Sequence, residues 1–112
     1  MTEPGSQQCS HLSANDKALN QDETSAYLLQ LNPQWQLNKE EQSICYTYTF
    51  KNFYQTMAFV NVIAQIAHQQ DHHPDLFVSY NRCTVTYSTH SVGGLSVNDF
   101  ICADKINTAQ NL

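Results

Sequence analysis

Residues 53–70 form the longest periodic segment of the chain, and they limit what the rest can fold into. Phe53, Met57, Val60, Ala64 and Ala67 recur at helical spacing, while Phe59, Val62, Ile63 and Ile66 widen the apolar face. Asn52 is placed to cap the start. A helix this apolar must be covered, most simply by one face of a sheet, and strand-like runs stand on both sides of it. Before it, Trp35 and Leu37 alternate with polar residues, and Ile44 to Phe50 is rich in aromatic and β-branched side chains. The polar turn Lys39 to Ser43 between them predicts an antiparallel hairpin. After the helix, Leu76 to Tyr80 and Arg82 to Thr89 form a second pair joined near Asn81. In the latter run Cys83, Val85 and Tyr87 alternate with Arg82, Thr84, Thr86 and Ser88, which predicts one buried and one polar face. His90 continues the polar parity.

Two further helices frame these elements. Ser13 or Asn15 is a cap candidate for a first helix carrying Ala18, Leu19, Ala26, Leu28, Leu29 and Leu31, stopped by Asn32-Pro33. Its polar middle, Asn20 to Ser25, leaves the boundaries open. Gly93-Gly94 marks a loop, and the S-x-x-D pattern of Ser96 and Asp99 starts a last helix with Phe100, Ala103 and Ile106 on its inner face. The order α-β-β-α-β-β-α predicts an α+β fold: a four-stranded antiparallel sheet with helices packed on one face. Tyr80 is expected as a core or sheet aromatic. The 112 residues suit a single domain over 13–112, with the polar stretch 1–12, which includes His11, as a flexible tail.

Composition removes several classes of function. Five basic against ten acidic residues give a net charge of -5, with no Lys/Arg cluster, so direct nucleic-acid binding is not expected. No apolar run approaches the ~20 residues that span a bilayer. Charged residues are only 13% of the chain, which leaves room for self-association. Cys9, Cys45, Cys83 and Cys102 form no C-x-x-C pair. Their even number allows a disulfide framework, but Met1 to Ser13 is polar and unlike a signal peptide, so reduced thiols and a cytoplasmic location are expected. Cys45 and Cys83, in strand-like runs, are read as small apolar residues.

Chemistry concentrates where the long helix ends. His68, His72, His73 and His90 are four of the five histidines, and Asp71-His72-His73-Pro74 closes the helical run. If the helix persists, His68 and His72 share a side; Pro74 turns the chain out at His73. Imidazole titrates nearest neutral pH, so such a cluster can hold both a proton donor and a proton acceptor. The same cations also suit the dipole at a helix C-terminus.

The string His68, three residues, His72-His73-Pro74, five residues, Tyr80, nine residues, His90, eight residues, Asp99 resembles the signature of the pterin-4a-carbinolamine dehydratase family, the dimerization cofactor of a homeodomain transcription factor. The Ser88-Thr89-His90 run, Gly94-Leu95-Ser96 and the element order look similar too, and the likeness covers residues 13 to 108. It implies a hydro-lyase that removes water from 4a-hydroxytetrahydropterin to give quinonoid dihydropterin, as in recycling of tetrahydrobiopterin for an aromatic amino acid hydroxylase. The pterin is then the substrate, and no metal or other cofactor is implied. By the resemblance, His72 and His90 are candidates for general acid and base, in an order the sequence leaves open, and His73 for holding the pterin. Asp71, Ser88, Thr89, Ser91 and His68 match substrate-contacting positions; His68 replaces the Glu of many members. Asp99 either orients His90 or simply caps its helix. Val92 stands where some animal members have Cys.

Two other functions compete. His68 and His72 with His73 or His90 could hold zinc, although no H-E-x-x-H occurs. A protein-interaction module is the second, since animal members of the family resembled also stabilise dimers of a transcription factor. Retention of three motif histidines favours catalysis, because an interface alone would not need them. Family members assemble as dimers or tetramers, and the apolar 53–67 helix has more surface than one sheet covers, so a homodimer or homotetramer is expected.

Overall fold

The computed structural model describes residues 7–110. Its elements are α1 (Gln21–Gln30), β1 (Gln36–Asn38), β2 (Ser43–Thr49), α2 (Phe53–Gln70), β3 (Asp75–Val78), β4 (Arg82–Tyr87) and α3 (Val97–Gln110), with a 3-10 turn at His90–Val92. The α+β order is the one the sequence predicts. The four strands pair antiparallel throughout in the order β1-β2-β4-β3.

Register decides which side chains are buried. Ile44 pairs with Tyr87, Tyr46 with Val85 and Tyr48 with Cys83, so these six share one face, and α2 and α3 pack on that side. The opposite face carries Thr47 and Thr84, whose hydroxyls meet at 2.9 Å. Phe59 of α2 reaches down to Tyr48 and Phe50, with ring centroids 4.5 and 5.0 Å away. Ile44, Ile63, Val85, Leu95 and Ile106 complete a continuous core. No helix of the described residues is long and apolar enough to cross a membrane.

Asn52 caps α2 as expected, its side chain accepting from the Gln55 amide at 2.9 Å. The buried stripe of α2 is narrower than the predicted apolar face, keeping its Phe59 and Ile63 and adding Thr56. Thr56, Phe59 and Ile63 are buried, whereas Phe53, Ala64 and Val62 are exposed. A helix apolar on most sides offers several equivalent stripes, and docking selects one. Helix α1 starts later than Ser13 or Asn15 would place it: Asn20 and Glu23 form a reciprocal capping box. Two side-chain bonds to otherwise orphaned amides outweigh the apolar content of the residues before them.

Strand β4 ends at Tyr87 and β3 at Val78, both short of the predicted limits. Tyr80 is neither core nor sheet: it lies exposed in the turn, and its carbonyl sits 3.0 Å from the buried Thr56 hydroxyl. Of the stretch read as a tail, residues 1–6 lie outside the described residues. Cys9 and Ser10, in contrast, are tied down. The Cys9 amide donates to Gln70 Oε1 at 2.8 Å, and Asn98 exchanges two bonds with the Ser10 backbone at 3.1 and 2.8 Å.

Candidate active site

The site begins with the way α2 stops. Asp71 adopts the left-handed conformation (φ 51, ψ 44), and the His72 amide closes the last turn on the Ala67 carbonyl at 3.1 Å. Left-handed backbone is uncommon outside glycine, but Asp is among the residues that tolerate it. This reversal comes before Pro74 can act, and it swings His72 off the helix axis. His68 therefore does not share a side with His72; it remains on the helix, exposed, and does not line the hollow described below.

His72 points inward. Its Nε2 donates to Asp99 Oδ1 at 2.6 Å, with the side chains 12% and 0% exposed, and its ring stacks on buried Tyr87 at 5.3 Å. Asp99 was a candidate to orient His90; it binds His72 instead. The reason is positional, because Asp99 sits in the first turn of α3, against the residues that follow α2. Its other oxygen, Oδ2, accepts from the Thr89 hydroxyl at 2.8 Å and the Ser96 amide at 3.0 Å, and the Ser96 hydroxyl lies 2.7 Å from that of Thr89. The carboxylate thus keeps a capping bond and positions a histidine at once. A buried carboxylate with three donors at a helix N-terminus is well compensated.

This arrangement governs the charge on His72. Burial is the largest single influence and opposes protonation. The hydrogen bond and negative charge of Asp99, helped by Cys9 and Asp71, outweigh it and hold the imidazole above its ordinary range. With Nε2 engaged, Nδ1 is the nitrogen left for a ligand.

Around His72 lies an open hollow of about 200 Å³ lined by Asp71, His73, Asp75, Thr86, Ser88, Thr89, His90 and Ser91. The three histidines 72, 73 and 90, expected to act together, do share it. His73 is exposed, with Nδ1 3.4 Å from the Pro74 carbonyl. His90 opens the 3-10 turn, which Gly93 closes with a positive φ of 70 that favours glycine. Asp71, Ser88 and Ser91, the substrate-contacting candidates, line the hollow. Thr89 does so too, but its hydroxyl is spent on Asp99. Asp75, Thr86 and Tyr87 were not singled out as site residues. The parity of β4 held a signal for Thr86, and register adds Asp75, which pairs with it. Nothing local could assign Tyr87 the role of a platform. Among the described residues, no group of three or more His, Cys, Asp or Glu side chains is arranged to hold a metal ion.

Fold and site together define a small α+β protein whose sheet end carries a histidine hollow backed by a buried carboxylate. The profile of the family described as Pterin 4 alpha carbinolamine dehydratase matches residues 17–109. A relative from Nitrosomonas eutropha, provisionally named a pterin-4-alpha-carbinolamine dehydratase, is 54% identical over 89 residues, covering 80% of this chain and 77% of its own. The crystal structure of a transcriptional coactivator/pterin dehydratase from Brucella melitensis is similar with a TM-score of 0.78 and 34% identity, covering 82% of this chain and 97% of that one. A pterin dehydratase-like protein identified as a RuBisCO assembly factor in the alpha-carboxysome shares the fold at a TM-score of 0.59, with 14% identity over 67% of this chain and 87% of its own. The chain belongs to the pterin-4a-carbinolamine dehydratase family.

Proposed function

We propose that this chain dehydrates a 4a-hydroxytetrahydropterin, with His72 as proton donor and His90 as acceptor. The observation that carries the reading is the His72–Asp99 pair facing a hollow that also holds His73 and His90. Hydroxide is a poor leaving group, so the oxygen on C4a must gain a proton as its bond to carbon breaks. His72 has its proton affinity raised by Asp99 and its Nδ1 free of that carboxylate, which suits the donor. The N5 lone pair forms a C4a=N5 double bond as water departs, and the N5 proton passes to a neutral imidazole. His90 suits that step, because among the described residues its ring has no side-chain partner and it is exposed. The sum is loss of one water and no change in oxidation state, so the reaction calls for no redox cofactor. His73, beside His72, is assigned to holding the pterin, and Ser88, Ser91 and Asp71 to its polar edge. The product would re-enter the cofactor cycle of an aromatic amino acid hydroxylase.

The test is a dehydration assay with 4a-hydroxytetrahydropterin generated enzymatically. Turnover above the spontaneous rate is expected, and His90→Ala should lower kcat by on the order of 10²-fold, the low end for one positioned acid or base. Full turnover in that variant would remove His90 from the mechanism; none in the unaltered protein, correctly folded, would favour an interaction role.

We also propose a homodimer or homotetramer. Strand β3 lies at the sheet edge with all four residues exposed, Phe77 at 72%, and α2 exposes Phe53, Tyr54 and Val62. An unpaired edge carrying apolar side chains is a template for a second copy. Light scattering at micromolar concentration should return a multiple of 12.7 kDa, and a monomeric mass would overturn the proposal.

A further inference from the structure

We propose that Cys9 and Cys102 form a reversible thiol–disulfide pair that fastens the N-terminal segment beside the histidine hollow. The two residues are 93 apart in sequence, yet their sulfurs stand 3.4 Å from each other. Cys102 lies wholly buried on α3, one turn beyond Asn98 and Asp99, while Cys9 is half-buried on a segment outside every helix and strand. That segment is coil, held by the Gln70 and Asn98 bonds and by Cys9 itself packing against the edge of the core. Closing the gap to the ~2.05 Å of a disulfide requires a movement of little more than ~1 Å, which the coil segment bearing Cys9 can supply.

The surroundings divide the two thiols into an attacking and a resolving partner. The hydrogen bond from Cys102 holds the Cys9 thiol below its ordinary range against the effect of burial, and His72 and Lys105 act in the same direction. Cys102 is pushed up by its bond with Cys9 and by burial. An accessible, acidic thiol beside a buried one is the arrangement of redox-sensing pairs.

The oxidant is a low-molecular-weight disulfide such as glutathione disulfide. The Cys9 thiolate attacks one of its sulfurs, the S–S bond breaks, and one glutathione leaves as thiol with the proton from Cys9. Cys102 then attacks Cys9 Sγ, and the second glutathione leaves with the Cys102 proton. Two protein thiols are oxidised and one glutathione disulfide is reduced to two glutathiones. The bond would lock the wall made by Cys9, Ser10, His11 and Leu12 around a cavity of about 480 Å³, which shares Asp71, His72, Thr89 and Ser91 with the hollow.

The experiment is oxidation of the full chain with excess glutathione disulfide, followed by thiol titration in denaturant and peptide mapping. Titratable thiols should fall from four to two, with Cys9 and Cys102 joined in one cross-linked peptide and both restored by dithiothreitol. Cys9→Ser should keep its three thiols under the same treatment. Cys102→Ser should instead trap glutathione on Cys9. A count that stays at four, glutathione retained on Cys9 of the unaltered chain, or cross-links through Cys45 or Cys83 would each overturn the proposal. None of these readouts needs pterin turnover, so they stand or fall separately from the dehydration assay.

Discussion

Asp99→Asn is expected to lower kcat by on the order of 10²–10³-fold while leaving the fold in place, because it removes the charge that favours the protonated form of His72 and disturbs the tautomer that Asp99 selects. The amide fits the same space and can still accept from Thr89 and Ser96 through its oxygen. The Nε2–H of His72 then faces an NH₂ group or loses its partner. Burial, the largest influence on His72, is then opposed only by the charges of Cys9 and Asp71, so its midpoint should fall relative to the unaltered protein. A proton-detected titration of the His72 ring in both proteins measures this directly.

The stability of the two proteins should diverge with pH in a definite direction. In the unaltered protein the folded pKa of His72 is raised, so the pair's contribution is fully present below about 6.5 and is lost as pH rises through the folded value. In the asparagine variant the folded value is lower than in the unaltered protein, so less stabilisation is gained as pH falls. The gap between the two proteins should therefore widen on acidification from neutral pH. Equal gaps at pH values either side of that range, measured by urea unfolding, would show that Asp99 does not control the charge on His72.

The second large effect is structural. Phe59→Ala should cost about 3–5 kcal/mol, the range for truncating a buried aromatic. Phe59 is 4% exposed and joins α2 to the sheet through Tyr48 and Phe50, so its loss empties the middle of the contact between the two layers. Against a typical net stability of about 5–15 kcal/mol, that loss brings the domain close to unfolding at ambient temperature. Val62→Ala, on the exposed side of the same helix, should by contrast change the unfolding midpoint of the isolated subunit little. A comparable shift in both would mean that the buried stripe of α2 is not the one described.

That contrast shows where local pattern stops informing. The extent of α2 was legible because Asn52, a capping side chain, precedes an uninterrupted helical period, and both operate within a few residues. Which stripe would be buried was not legible. Thr56, a polar residue with 0% exposure, is accommodated only because its hydroxyl reaches the carbonyls of Asn52 and Tyr80, and the second of these lies across the fold. The strands were legible from alternation, and their ends were not, since pairing partners set the ends. The segment holding Cys9 read as a tail because its anchors, Gln70 and Asn98, are distant in sequence and polar, and so carry no periodic signal.

Residue types and spacing by themselves fixed the element order and the α+β class, and the family resemblance singled out the three histidines that line one hollow. The tertiary structure alone decided which of them meets a buried carboxylate. A left-handed Asp71 turns His72 away from His68 and toward Asp99, and the docking of α3 supplies that carboxylate at 2.6 Å. Spacing along a chain constrains only neighbours within a turn or a strand pair, whereas proton affinity depends on burial and on charges brought close by packing.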